Sequence, residues 1–300
     1  YELIDPKVGN TGEWLDARVV WQKLLETRFR TGEPYLNFID TANKALPQAL
    51  KDRGLKIHGS NLCNEIHLPT SEDRTAVCCL SSVNLEYYDQ WSNTTMVADL
   101  ITMLDNVLEY FIDNCPSSLT RARFSASRER SLGLGAMGFH NYLQRHDISF
   151  DSGAATDANV GIFAYISSQA KMQSKLLAKE RGEAPDMEGT GMRNAHLLAI
   201  APNASSSIIL STSPSIEPNK ANAYTHRTRA GSFLVQNRYL KNVLESIGKD
   251  TQEVWSNIIT NNGSVQHLDF LDEKTKKVFA TSFEIDQMDI IKLAGMRQHY

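Results

Sequence analysis

The chain has 300 residues, 41% hydrophobic and 22% charged, with a net charge of −4. That is ordinary globular composition, long enough for one large core or two modest ones. Lys and Arg are spread without a basic run or a basic patch interleaved with aromatics, which argues against nucleic acid as a partner, and no stretch approaches the ~18 consecutive apolar residues of a membrane span.

In chain order, Thr11-Gly12-Glu13 opens an expected helix with Trp14, Trp21, Leu24 and Leu25 on its apolar face, stopped at Thr31-Gly32. Pro34 to Ile39 reads as a short strand. His58 to Pro69 has no readable period. Thr75 to Leu85, rich in small and β-branched residues, reads as a strand. Ser92 to about Asp113 is a strong helix, with Met96, Leu100, Leu104, Val107 and Phe111 at helical spacing and Cys115-Pro116 ending it. Asp157 to Arg181 is a second long helix, buried through Ile162, Phe163, Ile166, Ala170 and Leu177, with Gly182 placed to cap it. Leu197 to Ala201 is a short apolar strand that leads through Pro202-Asn203 into Ala204 to Leu210. Val235 to Tyr300 reads as mostly helical, including Leu240 to Ile247, Thr251 to Ile259 and Asp286 to Met296.

Strands alternating with helices indicate an α/β protein with parallel strands. With no repeat, low-complexity tract or linker, residues 1–300 read as a single domain or a piece of one. The chain begins at Tyr1 and ends at Tyr300 without a helix breaker, so both ends read as cut. No charged-then-apolar leader precedes a cleavage site, so a cytoplasmic protein is expected.

The four cysteines, Cys63, Cys78, Cys79 and Cys115, match no zinc spacing, and no metal is expected. In a cytosolic chain of this size they are not expected to form structural disulfides. Three features invite over-reading. Gly133-Leu134-Gly135-Ala136-Met137-Gly138 spells a dinucleotide fingerprint, but it follows the charged stretch Arg121 to Arg130, so close backbone packing is the better account. Tyr87-Tyr88 could suggest an electron relay, yet one buried and one exposed ring is the simpler expectation. His196 has no identifiable partner as a base and reads as a core or strand-edge histidine.

Two constellations carry chemistry. In Ser60-Asn61-Leu62-Cys63-Asn64-Glu65-Ile66, an extended backbone would put Asn61, Cys63 and Glu65 on one side. An amide, a thiol and a carboxylate would then meet: a hydrogen-bonding group for hydroxyls, a nucleophile or hydrogen-atom abstractor, and a proton acceptor. A polar strand edge with one buried cysteine is the competing account. In Leu197 to Ile208, a buried strand enters a tight turn and a serine-rich helix start. The free N–H groups there suit a phosphate, and three consecutive serines, Ser205 to Ser207, exceed what a cap needs.

Together these segments resemble the large subunit of ribonucleotide reductases. Ser60 to Thr70 (SNLCNEIHLPT) resembles that family's finger loop, and Ala76 to Leu85 (AVCCLSSVNL) its redox-cysteine strand. Ser131 to Phe139 resembles its glycine-rich core strand. Ala201 to Ser207, followed by Ile216-Glu217-Pro218, resembles its phosphate-binding turn. The matches keep the family's order over nearly the whole chain, and the loop wording is closest to the class Ia versions of T4-like phages.

The resemblance implies a ten-stranded α/β barrel, of which this chain would be an incomplete part, with the finger loop at its centre. It implies radical reduction of ribonucleoside diphosphates to 2′-deoxyribonucleoside diphosphates for DNA synthesis. Cys63 would be the thiyl radical, Glu65 the acceptor of the 3′-hydroxyl proton, and Asn61 the holder of the ribose hydroxyls. Cys78 would be one of two reducing cysteines. Ser60, Pro202, Asn203, Ala204, Ser205 and Ser206 would bind substrate. The implied partners are a small subunit carrying a diiron-tyrosyl radical and thioredoxin or glutaredoxin as reductant. ATP/dATP effector sites are expected outside this chain. If the chain is phage-encoded, the compartment would be the host cytoplasm.

The family's second redox cysteine precedes the finger loop, whereas no cysteine here precedes Cys63. The relay tyrosines and the C-terminal reloading cysteines are not matched either, and Tyr87-Tyr88 does not correspond to the relay in position. The chain alone is therefore expected to be inactive. An incomplete barrel would expose strand edges and apolar surface, so association with the rest of a large subunit or with another copy is expected. The competing readings are a cobalamin-dependent class II reductase, a non-catalytic phosphate-binding remnant, and a structural α/β domain without a site.

Overall fold

The computed structural model, which describes all 300 residues, opens on an antiparallel pair, β1 (Glu2–Asp5) and β2 (Gly9–Trp14). Here the expected helix start is corrected. Gly9 and Gly12 both take positive φ, which lets the chain reverse and kink as a hairpin, and Trp14 ends a strand. The helix α1 (Ala17–Thr31) starts only after Asp16, whose carboxylate accepts from Arg18 N–H, and it stops at left-handed Gly32 as expected. No residue of α1 is buried; Phe29 is 94% exposed.

Pro34 to Phe38 forms no strand, because nothing pairs with it; Ile39 instead starts α2 (Ile39–Ala45), followed by α3 (Gln48–Asp52). These two short helices pack Leu46 and Leu50 against Ile57, Ala184 and Met187 in a small core of their own. The strand expected from Thr75 is shorter: β3 (Leu80–Asn84) begins only where its partner does. After α4 (Tyr88–Trp91), α5 (Met96–Asn114) and α6 (Thr120–Glu129), the chain enters β4 (Gly133–Met137), which pairs in parallel with β3, Leu80 opposite Gly133 and Asn84 opposite Met137. Helices α7 (Phe139–Arg145) and α8 (Gly153–Arg181) follow, then α9 (Ala204–Leu210). Leu197 to Ala201 is not a full strand, but it runs along the free edge of β4 through a parallel bridge, Leu134 to Leu198.

The expected α/β class holds. Of the implied barrel, regular pairing is confined to β3, β4 and this third segment. The main core packs α5 and α8 over β4, through Ile101, Leu104 and Leu108 on α5, Ile162, Phe163 and Ile166 on α8, and Leu134 and Ala136 on the strand. A second hairpin, β5 (Ala223–Thr228) and β6 (Gly231–Gln236), was not anticipated. Then come α10 (Arg238–Ser246), α11 (Gln252–Thr260), α12 (Glu273–Val278) and α13 (Gln287–Arg297), the middle of which gathers around Leu240, Leu244, Trp255 and Ile258.

Two buried carboxylates behave oppositely. Asp105 is fully buried, yet its oxygens meet Arg130, Arg181 and Arg193 at 3.0, 3.0 and 3.2 Å and accept from Asn194 Nδ2 at 3.1 Å. Burial pushes its pKa up, but the guanidinium groups and amide outweigh it and hold it below the ordinary value. Glu129 has one oxygen accepting from Ser125 Oγ at 3.0 Å and the other without a partner. Burial raises it to about 7, against the lowering effect of Ser125 and Arg74. A pKa raised on folding stabilises the fold fully below the unfolded value, and that contribution is lost as pH rises through about 7. Glu129→Gln should therefore gain on the wild type between pH 5 and pH 8, by on the order of 2–3 kcal/mol. Paired urea titrations at the two pH values check this; a constant difference would mean that Glu129 is charged throughout.

Candidate active site

The finger-like segment is a closed loop. Its base is tied by Thr70 N–H to Lys56 C=O at 3.1 Å and by Asn43, which bonds both the N–H and the C=O of Ile57 at 2.9 and 2.8 Å. The tip is not extended, which corrects the alternation argument. Asn64 N–H donates to Asn61 C=O at 3.0 Å, and Asn64 itself is left-handed at φ 64°. This turn brings Asn61 back onto Glu65: Asn61 Nδ2 donates to Glu65 Oε2 at 2.7 Å, while its Oδ1 accepts from Ile66 N–H at 3.0 Å. Ser60 Oγ donates to Ile66 C=O at 2.7 Å, so that hydroxyl is spent on the loop. Asn61 and Glu65 thus meet through a turn rather than by sharing a strand face, and the Cys63 thiol is exposed at the bend.

Cys63 and Glu65 line a cavity of about 2220 Å³ together with Cys78, Pro202, Asn203 and Ala204. Cys78 precedes β3 and is exposed; its thiol pKa is raised, first by partial burial and then by the neighbouring negative charge of Glu65 and Cys63. Cys79 faces the other way, buried, with its Sγ–H donated to Leu104 C=O at 3.4 Å. The two thiols thus lie in different surroundings, although both residues border the cavity and the pair lies just before the strand.

The turn after Ala201 is carried by the free edge of β4. Gly135 permits this: a Cβ there would meet Ala199 C=O at 2.4 Å. Gly138, at φ 80°, sits where a Cβ would strike Asn84 Oδ1 at 2.3 Å. The glycine hexapeptide is thus a packed strand and its exit, as the packing account expects. Asn203 does not cap α9. Its Nδ2 turns inward to Ala201 and Ala136 carbonyls at 2.9 and 3.3 Å. No side chain caps the first turn of α9. Ser205 and Ser206 are exposed and stand, with Ser60 and Asn61, outside the cavity lining, whereas buried Ser207 lines it.

His196 pairs with Ser131 Oγ at 2.9 Å through Nδ1, and burial lowers its pKa to about 4, as befits a satisfied histidine. Tyr87 and Tyr88 are both half-buried, which corrects the expected one-in, one-out arrangement. Tyr88 packs edge-on to Trp91, Tyr142 and Tyr165, with ring centres 5.0, 6.0 and 5.9 Å apart. His67 and Glu217, from the quoted motif segments, also line the cavity, as do Asn37 and Arg238, which sequence reasoning missed. Asn37 and Arg238 come from 26 or more positions away from any motif residue they serve, so no local pattern marks them. No helix is long and apolar enough to cross a membrane, and no cluster of three His, Cys, Asp or Glu is placed to hold a metal ion.

A thiol at a loop bend, a carboxylate and a second thiol thus share one cavity of an α/β fold, beside the turn that leads into α9. The family model for the ribonucleotide reductase barrel domain matches residues 1–190 and 185–300, and the chain belongs to that family. It is 58% identical over 303 aligned positions to a Frog virus 3 (isolate Goorha) protein described as a ribonucleoside-diphosphate reductase large subunit, covering 100% of this chain and 54% of that one. It is 50% identical over 305 positions to the ribonucleoside-diphosphate reductase large subunit of Invertebrate iridescent virus 3, covering 100% of this chain and 48% of the relative. Among solved structures, the class Id ribonucleotide reductase alpha subunit of Actinobacillus ureae superposes with a TM-score of 0.89 at 44% identity, over 94% of this chain and 53% of that one. The chain spans about half the length of these relatives.

Proposed function

We propose that this chain supplies the catalytic core of a ribonucleoside-diphosphate reductase large subunit. The observation that carries the reading is the convergence of Cys63, Glu65 and Cys78 with the Pro202–Ala204 turn on one cavity. In this reading Cys63, as a thiyl radical, takes the 3′-hydrogen of the ribose. An S–H bond is close in strength to an activated ribose C–H bond, so the exchange is reversible. Glu65 accepts the 3′-hydroxyl proton, its carboxylate oriented by Asn61. The 2′-hydroxyl leaves as water. Two electrons come from a cysteine pair of which Cys78 is one member, the 3′-hydrogen returns from Cys63, and the product is the 2′-deoxyribonucleoside diphosphate. The turn at Asn203 and Ala204, which borders the cavity, holds the diphosphate.

The likeness to a class Id alpha subunit supports a small-subunit-dependent class over the cobalamin-dependent one. In this reading Cys63 would lose an electron and its thiol proton to a radical held by a small subunit with a diiron-tyrosyl site, and thioredoxin or glutaredoxin would restore the reducing cysteines. If the chain is virus-encoded, the compartment is the host cytoplasm. The exposed apolar face of α1 serves association with the rest of a large subunit.

The test is alkylation of Cys63 by iodoacetamide, followed by peptide mass mapping. Saturating ribonucleoside diphosphate is expected to slow it about tenfold or more, and the matching nucleoside without diphosphate far less. Equal protection by inorganic diphosphate would favour the phosphate-binding remnant. No protection by any of the four common diphosphates would overturn the reading. With a small subunit and a dithiol added, the chain alone is expected to form no deoxynucleotide, because no cysteine precedes Cys63 to pair with Cys78.

A further inference from the structure

We propose that Asn37 is a positioning residue for the Cys63–Glu65 bend. Asn37 lies in the irregular segment between α1 and α2, 26 residues before Cys63 in sequence. Its Nδ2 donates to Asn64 Oδ1 at 3.0 Å, and its Oδ1 lies 3.2 Å from His67 Nε2. An amide oxygen only accepts, so the donor in this contact is His67 Nε2–H. One side-chain amide thereby grips the loop on both sides of Glu65.

Two further observations make this more than a chance contact. Every other hydrogen bond of residues 58–69 stays inside the loop or runs to its own base at Thr70. The loop tip is therefore referenced to the rest of the molecule, in hydrogen-bonding terms, through Asn37 alone. Asn64 is also the residue whose left-handed backbone turns the chain between Cys63 and Glu65. Asparagine tolerates that conformation and offers a short acceptor; glycine would keep the turn but lose the acceptor. The grip sits on the residue whose rotation decides where the thiol and the carboxylate face.

The inference of a role in the reaction rests on the reductase reading, but its test does not need turnover. The rate of Cys63 alkylation is measured across pH 6.5–9.5 for the chain and for Asn37→Ala, Asn64→Gly and the double variant. Cys115, half-buried at the end of α5, serves as the reference thiol within the same molecules. Each single variant should raise the high-pH plateau rate at Cys63 about three- to tenfold, the equivalent of losing one hydrogen bond. The double variant should match Asn37→Ala, because that change already removes the contact that Asn64→Gly removes. The Cys115 rate should not move. A plateau within twofold of wild type in either single, multiplicative effects in the double, or a parallel change at Cys115 would each overturn the proposal. If nucleotide protection fails in the wild type while these rates behave as stated, the reductase reading falls and the positioning of the bend stands.

Discussion

Gly135→Ala is expected to destabilise the chain by about 1–3 kcal/mol and to cost nucleotide protection of Cys63 more than stability alone would. The new methyl would lie 2.4 Å from Ala199 C=O, 3.1 Å from Ser82 Oγ and 3.3 Å from Ala201 N. The first and last of these are backbone atoms, so no side chain can rotate away to relieve the overlap. The 197–201 segment must move off the edge of β4, and it carries Pro202, Asn203 and Ala204 to the cavity. Urea unfolding gives the stability, and the alkylation rate with and without ribonucleoside diphosphate gives the site. A variant with wild-type protection would show that the turn is set from α9 rather than from β4.

Asp105→Ala should cost about 3–5 kcal/mol, the usual loss when one partner of a buried ionic cluster is removed. Three guanidinium groups converge on that carboxylate from different places: Arg130 just before β4, Arg181 in the last turn of α8, and Arg193 ahead of the 197–201 segment. Without the charge they repel one another in a buried setting. Arg130 is also left-handed at φ 47°, a conformation its anchored side chain helps to hold. Because the Asp105 pKa is held down in the fold, its contribution is present above the unfolded value of 3.8 and is lost progressively as pH falls from there through the lower folded value. The gap between wild type and variant should thus narrow in acid, in urea titrations run at pH 7 and pH 3. A loss under 1 kcal/mol at pH 7 would mean that Glu109, already 2.7 Å from Arg130, takes over as counter-ion.

The long periodic helices were legible from the sequence. The helix expected from Ser92 is α5, that from Asp157 is α8, and the short helical runs near Leu240, Thr251 and Asp286 are α10, α11 and α13. Each has an apolar stripe that its own residues declare. The extended segments were not legible in the same way. Thr75 to Cys79 looks like strand, but pairing begins only where β4 offers a partner, more than fifty residues on. Pro34 to Ile39 has strand-like residues and no partner at all. The β5–β6 hairpin carries an alternation, Tyr224, His226 and Thr228 against Phe233 and Val235, around Ala230-Gly231, and that turn could have been found. At the site, the identities of Cys63, Glu65, Cys78 and the 202–204 turn were visible as motifs. The turn at Asn64 was not, because an alternating polar sequence does not say whether the backbone is extended. Asn37 was invisible, since its meaning lies in a contact 27 residues away.

The Cys78-Cys79 doublet also decides how oxidative damage would be shared out. Burial pushes the Cys79 thiol up to about 11. At neutral pH roughly one copy in ten thousand would carry the nucleophilic sulfur anion there. Peroxide and disulfide reagents react through that anion, so exposed Cys78 and Cys63 take the sulfenic acid or mixed disulfide and Cys79 is spared. A ring closed between the two neighbours would first have to pull Cys79 out of the core and break its bond to Leu104. Two adjacent sulfurs therefore amount to a single oxidisable site, and the doublet does not trap itself as a dead-end vicinal disulfide.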